Sequence, residues 1–345
     1  MAIYSADSHM LVLDQAVLER LASKHHDAYL ATKGPHRRAG ITPADPGAGP
    51  AGEWDPKARL ADMDLDGVDG EVLYTDPTGG ASLYKLGRDE GLACFTAFND
   101  AALEFAAVDP RRLAIVHLLP LHDIGDAIAE LHRIVGDGAR AVQLPLYPED
   151  AGLPKYWDAT YEPLWAAIAE AGTPISLHVC PPAGRGLGRD PTPARGIFQV
   201  MPPIFMSQAL TELVLTGIFE RHPALRVVLV ESGLSWIPYL LDRLDRVSEK
   251  LDWPAQGMPS GRPSDYWYRN MAATFEEDQL GLEMRERIGV DNLLWATDYP
   301  HPDSTFPRSI PIIEAEFASC TPAETAAMTG GNVARLYGFA TTPSL

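Results

Sequence analysis

The sequence predicts an α/β fold, a (β/α)8 TIM-like barrel with long βα loops over its C-terminal mouth. Three observations carry that expectation: eight short runs rich in β-branched residues, helical periodicity between them, and two Gly/Pro-rich inserts placed after the first and fifth runs. The strand candidates are residues 3–6, 71–74, 114–118, 141–144, 175–179, 226–231, 271–275 and 293–297. Between them, residues 89–107, 124–135, 161–171, 207–221, 236–251 and 279–288 return apolar side chains at three- and four-residue intervals, the spacing that gathers them on one helix face. Eight strands alternating with helices close naturally into a barrel, although a doubly wound open sheet gives the same linear pattern.

The inserts are residues 34–56, rich in Gly, Pro and Ala, and residues 180–203, with several Pro and Gly and three arginines. In a barrel both lie over the C-terminal mouth, where βα loops build active sites. The closing GGNVARLYGF reads as a last helix against the barrel, with its Gly pair as the boundary before it. Neither an internal repeat nor a domain linker is visible, so residues 1–345 are expected to form a single domain. At 345 residues and 46% hydrophobic content the chain is long enough to bury one large core.

Composition narrows the function. A formal charge of −19 and few Lys and Arg argue against a nucleic acid or an anionic membrane surface, both of which require basic patches. No apolar run reaches the length of a membrane span, and MAIYSADSHM has no basic and apolar leader pattern. Cys94, Cys180 and Cys320 are widely spaced without a CxxC pair, which suits a reducing compartment and inert thiols. A cytoplasmic protein acting on a small molecule is the expectation.

Ionisable residues at the C-terminal ends of the strand candidates supply the chemistry. Asp7 and His9 follow the first strand with one residue between them, and in an extended chain that spacing puts both on one face. His178 ends the fifth strand, Glu231 the sixth and Asp298 the eighth, so oxygen and nitrogen donors converge from around the ring. Any one of them alone reads as well as a core histidine or a turn-capping acid. Together they suit one divalent ion, Zn2+ above all, or Mn2+ or Fe2+, with a position left open for substrate.

The order DSH, SLHV, TGIFERHPALRVVLVESG, WATDYPHPDSTFP and GGNVARLYGF resembles the amidohydrolase superfamily over nearly the whole chain. The branch resembled includes aminocarboxymuconate-semialdehyde decarboxylase and the resorcylate and carboxyvanillate decarboxylases. The resemblance implies a distorted barrel with a mononuclear metal, held here by Asp7, His9, His178 and Asp298, in a homodimer. Two positions depart from the decarboxylase pattern: Asp7 stands where His or Glu is common, and Glu231 stands where those enzymes carry a histidine.

In a decarboxylase acting on a small carboxylated aromatic or unsaturated acid, the ion and nearby arginines hold the carboxylate. Glu231, kept protonated by apolar surroundings, or water at the ion then supplies a proton. In a hydrolase or hydratase on the same barrel, the ion activates water and Asp298 takes its proton. Both use the same residues, and the barrel does not choose between them. Arg185, Arg189 and Arg195 are candidates for a carboxylate clamp. His301 is a candidate for substrate contact or for orienting Asp298, Trp236 and Tyr299 for an aromatic wall, and His117 and His122 for the pocket lining. A catalytically silent barrel would be marked by lost ligands, and all four are present.

Overall fold

The structure, a computed structural model, describes residues 2–33, 49–76, 80–180 and 193–340. Most of the first insert and residues 181–192 of the second lie outside them. Eight strands form one sheet in chain order: β1 (Tyr4–His9), β2 (Gly70–Tyr74), β3 (Leu113–Leu118), β4 (Ala141–Leu144), β5 (Ile175–His178), β6 (Val227–Val230), β7 (Met271–Phe275) and β8 (Leu293–Trp295). Each pairs with the next in parallel. The ring closes just beyond β8: the His9 N–H donates to the Tyr299 carbonyl at 2.6 Å, and the Asp298 N–H donates to the Asp7 carbonyl at 3.0 Å. A (β/α)8 barrel results, and the open-sheet alternative is excluded.

Two apolar layers follow from the period of two along each strand. Tyr4, Val72, Ala114, Val116, Val228, Val230 and Leu294 fill the barrel, joined from below by Val333, Ala334, Tyr337 and Phe339. Ile115, Leu144, Leu177 and Leu229 face outward and pack against the surrounding helices. Helix ends show the expected chemistry. Asp55 caps the helix Pro56–Asp66, which starts on proline and ends at Gly67 with φ 78°. Asp123 accepts the Asp126 N–H at 3.1 Å at the start of Ile124–Gly136.

Several details differ from the sequence expectation. The stretch 207–221 starts earlier, at Pro202–Leu215, and restarts as Ile218–Arg221 after Gly217 takes φ 73°. The stretch 279–288 breaks at Met284 into Gln279–Glu283 and Arg285–Ile288. Residues 193–200 of the second insert are a helix, Pro193–Val200. The Gly330–Gly331 pair does not bound the last helix. It lies inside a helical run that passes through a π turn at Ala327–Gly331 into Asn332–Tyr337. A side chain at Gly330 would collide with the Ala2 carbonyl, so glycine lets this run pass directly beneath the barrel.

Candidate metal centre

Strict alternation along β1 would defeat the site. Tyr4 and Ala6 line the barrel interior, so Asp7 and His9, of opposite parity, would point outward. A β-bulge between Ser5 and Ser8 shifts the register against β2 and turns both side chains inward. Three hydroxyls pin it: Ser5, Ser8 and Thr297 lie 2.9 to 3.1 Å apart, and the Thr297 N–H donates to the Ser5 hydroxyl at 2.8 Å. Glu231 and Asp298 reach the same point by another route. Each follows a strand and holds a left-handed backbone, φ 55° and 54°, a strained state for a residue with a side chain.

The donor atoms converge. His9 Nε2 lies 3.1 Å from Asp298 Oδ1, 3.2 Å from Glu231 Oε1, 3.4 Å from His178 Nε2 and 3.6 Å from Asp7 Oδ1. His178 Nε2 lies 3.3 Å from Glu231 Oε1 and 3.9 Å from Asp7 Oδ1. Donors about 2.1 Å from a common ion in tetrahedral array stand about 3.4 Å from one another, so this spacing fits one ion. The tautomer fits as well: His178 Nδ1 meets the Val179 carbonyl at 3.0 Å and must donate there, leaving the Nε2 lone pair facing the centre. Asp7 is fully buried with neither carboxylate oxygen hydrogen-bonded, an arrangement a cation would relieve. The donor atoms close enough to share an ion form two overlapping sets, Asp7, His9, His178 and Glu231, and His9, Glu231, Asp298 and His301, so Asp298 meets the others through His9 and Glu231.

Glu231 does not have the apolar surroundings expected of it. Burial raises its carboxyl, but His178, His301 and His9 outweigh that and hold it well below the usual carboxylate range. His301 stands beside it, Nδ1 2.9 Å from Asp298 Oδ1 and 3.4 Å from Glu231 Oε1, with its ring stacked on His9 at 4.1 Å. Burial pushes His301 down, yet the two carboxylates prevail and lift it to about 11. Glu231, Asp298 and His301 open onto a cavity of about 490 Å³ whose wall includes Gln199, Val200, Pro202 and Pro203 from the second insert. The described end of that insert, residues 199–203, therefore borders the mouth.

Two site residues were missed. Glu276, the residue after β7, lines this cavity, and the strand-end criterion that selected Glu231 and Asp298 would have found it. Arg59, fully buried, donates to the His9 carbonyl at 2.8 Å and to the Glu71 carboxylate, and lies over the Tyr299 ring at 4.2 Å. No local pattern marks an arginine on an ordinary helix as the holder of a strand end.

Other candidates fall elsewhere. Arg185 and Arg189 lie outside the described residues, as does the side chain of Arg195. Tyr299 is no substrate wall: it is buried between Arg59 and Phe306, and its hydroxyl donates to Asp62 at 2.6 Å. Trp236 is no such wall either; its indole N–H donates to the Ser232 carbonyl at 2.8 Å while its ring packs on the core. His117 faces outward from β3, and His122 reaches the Tyr84 carbonyl at 3.2 Å in a separate hollow. Among the described residues, no helix is long and apolar enough to cross a membrane.

Comparison with known proteins agrees with this architecture. The chain is 26% identical to gamma-resorcylate decarboxylase of Rhizobium sp. (strain MTP-10005) over 254 residues, covering 70% of this chain and 76% of that protein. The crystal structure of 5-carboxyvanillate decarboxylase from Sphingomonas paucimobilis superposes with a TM-score of 0.76 at 24% identity, covering 98% of this chain and 99% of that one. A dihydroxybenzoic acid decarboxylase from Polaromonas sp. JS666, solved with manganese and the inhibitor 2-nitroresorcinol, gives a TM-score of 0.64 at 19% identity, covering 98% and 97%. The amidohydrolase family pattern matches residues 6–339, from the bulge of β1 to just past the last helix, and the chain belongs to the amidohydrolase family.

Proposed function

We propose that this chain is a metal-dependent decarboxylase of a small carboxylated aromatic acid, acting as a single catalytic domain. One observation carries the reading: a ring of carboxylates and two imidazoles at the barrel mouth, opening onto a cavity of about 490 Å³, the size for one substituted ring. The choice of decarboxylation over hydrolysis draws on the relatives, whose names specify aromatic carboxylic acids.

Asp7, His9, His178 and Asp298 would hold the ion. We also place Glu231 in that ring rather than as the proton donor, because its Oε1 faces both inward imidazoles. Two imidazoles with carboxylates and no thiolate suit zinc or manganese; manganese is the ion in the Polaromonas relative, and metal analysis of the purified protein decides. When bound, the ion supplies positive charge that fixes the substrate carboxylate and a neighbouring oxygen.

Asp298 and His301 hold a proton between carboxylate and Nδ1, and the partly open face of His301 lets solvent restore it. That proton passes to the ring carbon bearing the carboxylate. The carbon–carbon bond then breaks, carbon dioxide leaves, and the electron pair of that bond returns to the ring. A homodimer follows from the resemblance alone, and cytoplasmic residence from the cysteine pattern.

Incubation of the metal-loaded protein with hydroxylated benzoates, and separately with lactones and amides, tests the reaction. Release of carbon dioxide with the matching phenol is expected. Ring-opened or amide-derived acid would make it a hydrolase, and no turnover by a metal-replete protein would defeat both readings.

A further inference from the structure

Among the described residues, Glu276 is a buried acid at the mouth for which neither the ion nor the fold supplies a use. It stands directly after β7 and lines the same cavity as Glu231, Asp298 and His301, yet it belongs to neither group of donor atoms close enough to share an ion. Its neighbour Asp278 is committed to the fold, accepting the N–H groups of Leu234, Ser235 and Gly281. Glu276 Oε1, by contrast, is buried without a hydrogen-bond partner. A buried carboxyl oxygen left unpaired costs several kcal/mol, so a group that retains one at a cavity wall is placed to meet something that enters the cavity.

We propose that Glu276 is a substrate-binding residue that hydrogen-bonds a hydroxyl group on the ring of the substrate, and so selects hydroxylated acids. The substrate class rests on the decarboxylase reading. Two considerations narrow the partner to a hydroxyl. A second carboxylate there would add negative charge beside Asp7, Glu231 and Asp298, whereas a hydroxyl adds none. A hydroxyl also both donates and accepts, so it satisfies Glu276 whether that carboxyl is ionised or neutral. Burial, and then the neighbouring Asp298, Asp7 and Glu231, push Glu276 well above the usual carboxylate range, which favours the neutral form as donor without being required.

Binding of inert analogues tests this apart from turnover. Calorimetry on the metal-loaded protein compares 2-nitroresorcinol with 2-nitrophenol, which lacks the second hydroxyl. Wild type should prefer the resorcinol by at least about tenfold, the worth of one buried hydrogen bond. Glu276→Ala should bring the two within about threefold by weakening the resorcinol alone, and Glu276→Gln, which keeps a donor and an acceptor, should retain the preference. Equal weakening of both ligands, an undiminished preference in Glu276→Ala, or loss of metal from that variant would overturn the assignment. Tighter binding of 3-amino-2-nitrophenol than of 2-nitroresorcinol would overturn the hydroxyl in favour of an amine. If wild type binds these analogues with the expected contrast but decarboxylates no hydroxybenzoate, the reaction reading fails and the role of Glu276 stands.

Discussion

His178 and His117 are strand histidines of one barrel, 1% and 2% exposed, and they do opposite things. His178 ends β5 at the inner mouth. His117 lies on the outer face of β3 beneath the helix Ile124–Gly136, with Glu130, Arg133 and Asp137 as its charged neighbours. Burial presses both imidazoles toward the neutral form. At His178 the Glu231 and Asp7 carboxylates outweigh it and the pKa rises. At His117 nothing does, and the pKa falls to about 4, because Glu130 is already engaged by Arg133 and Asn99. A buried strand histidine therefore becomes a site residue through the carboxylates that converge on it, not through burial or position on a strand.

The largest test of that contrast is His178→Ala. It should abolish metal binding and lower kcat/KM by about a thousandfold or more, since the ion contributes several kcal/mol of charge stabilisation. The variant should melt with metal-free wild type, because the two apolar layers rather than the ion hold the barrel. Full metal occupancy by elemental analysis would remove His178 from the site.

Arg59→Ala comes next, and it probes how the mouth is held. Removing the cation strands Glu71 and frees the His9 carbonyl, so stability should fall by about 3–5 kcal/mol in chemical denaturation, the cost of breaking a buried pair. The double variant Arg59→Met, Glu71→Leu should recover most of that stability, since apolar replacement of a whole buried pair is often neutral. It should nevertheless bind metal about 10–100-fold more weakly in chelator competition, because the support behind His9 is still missing. Wild-type metal affinity in the double variant would show that Arg59 serves the fold alone.

How much of this was legible in sequence depends on whether the signal was local. Strand-end residues announce themselves, because a short apolar run ending in His178, Glu231 or Asp298 is readable in one window, and all three lie at the mouth. The β1 bulge was not readable. Ser5 and Ser8 acquire their meaning only from Thr297, nearly three hundred residues away, and without that clasp the spacing of Asp7 and His9 says that they share a face but not which face. Tyr299 misled for the same reason: its position beside Asp298 suggested the pocket, while Arg59 and Asp62 from a distant helix take its ring and hydroxyl. Glu276 was readable and passed over.

The smallest expected effect concerns His117 and tests the other side of the comparison. Its pKa is depressed from 6.5 to about 4 in the folded chain, so between those values the unfolded chain binds the extra proton. The stability owed to keeping this imidazole neutral is therefore fully present above pH 6.5 and is lost as pH falls toward 4. A shift of that size is worth about 3 kcal/mol at most. Other carboxylates titrate in the same range, so the informative quantity is a difference. His117→Leu, which fills the same apolar gap without an ionisable group, should show a flatter fall in unfolding free energy between pH 6.5 and 4 than wild type. Above pH 6.5 the difference between the two proteins should be constant. Parallel curves across the whole range would mean that His117 takes up its proton without penalty, and the line drawn between the two histidines would then be in the wrong place.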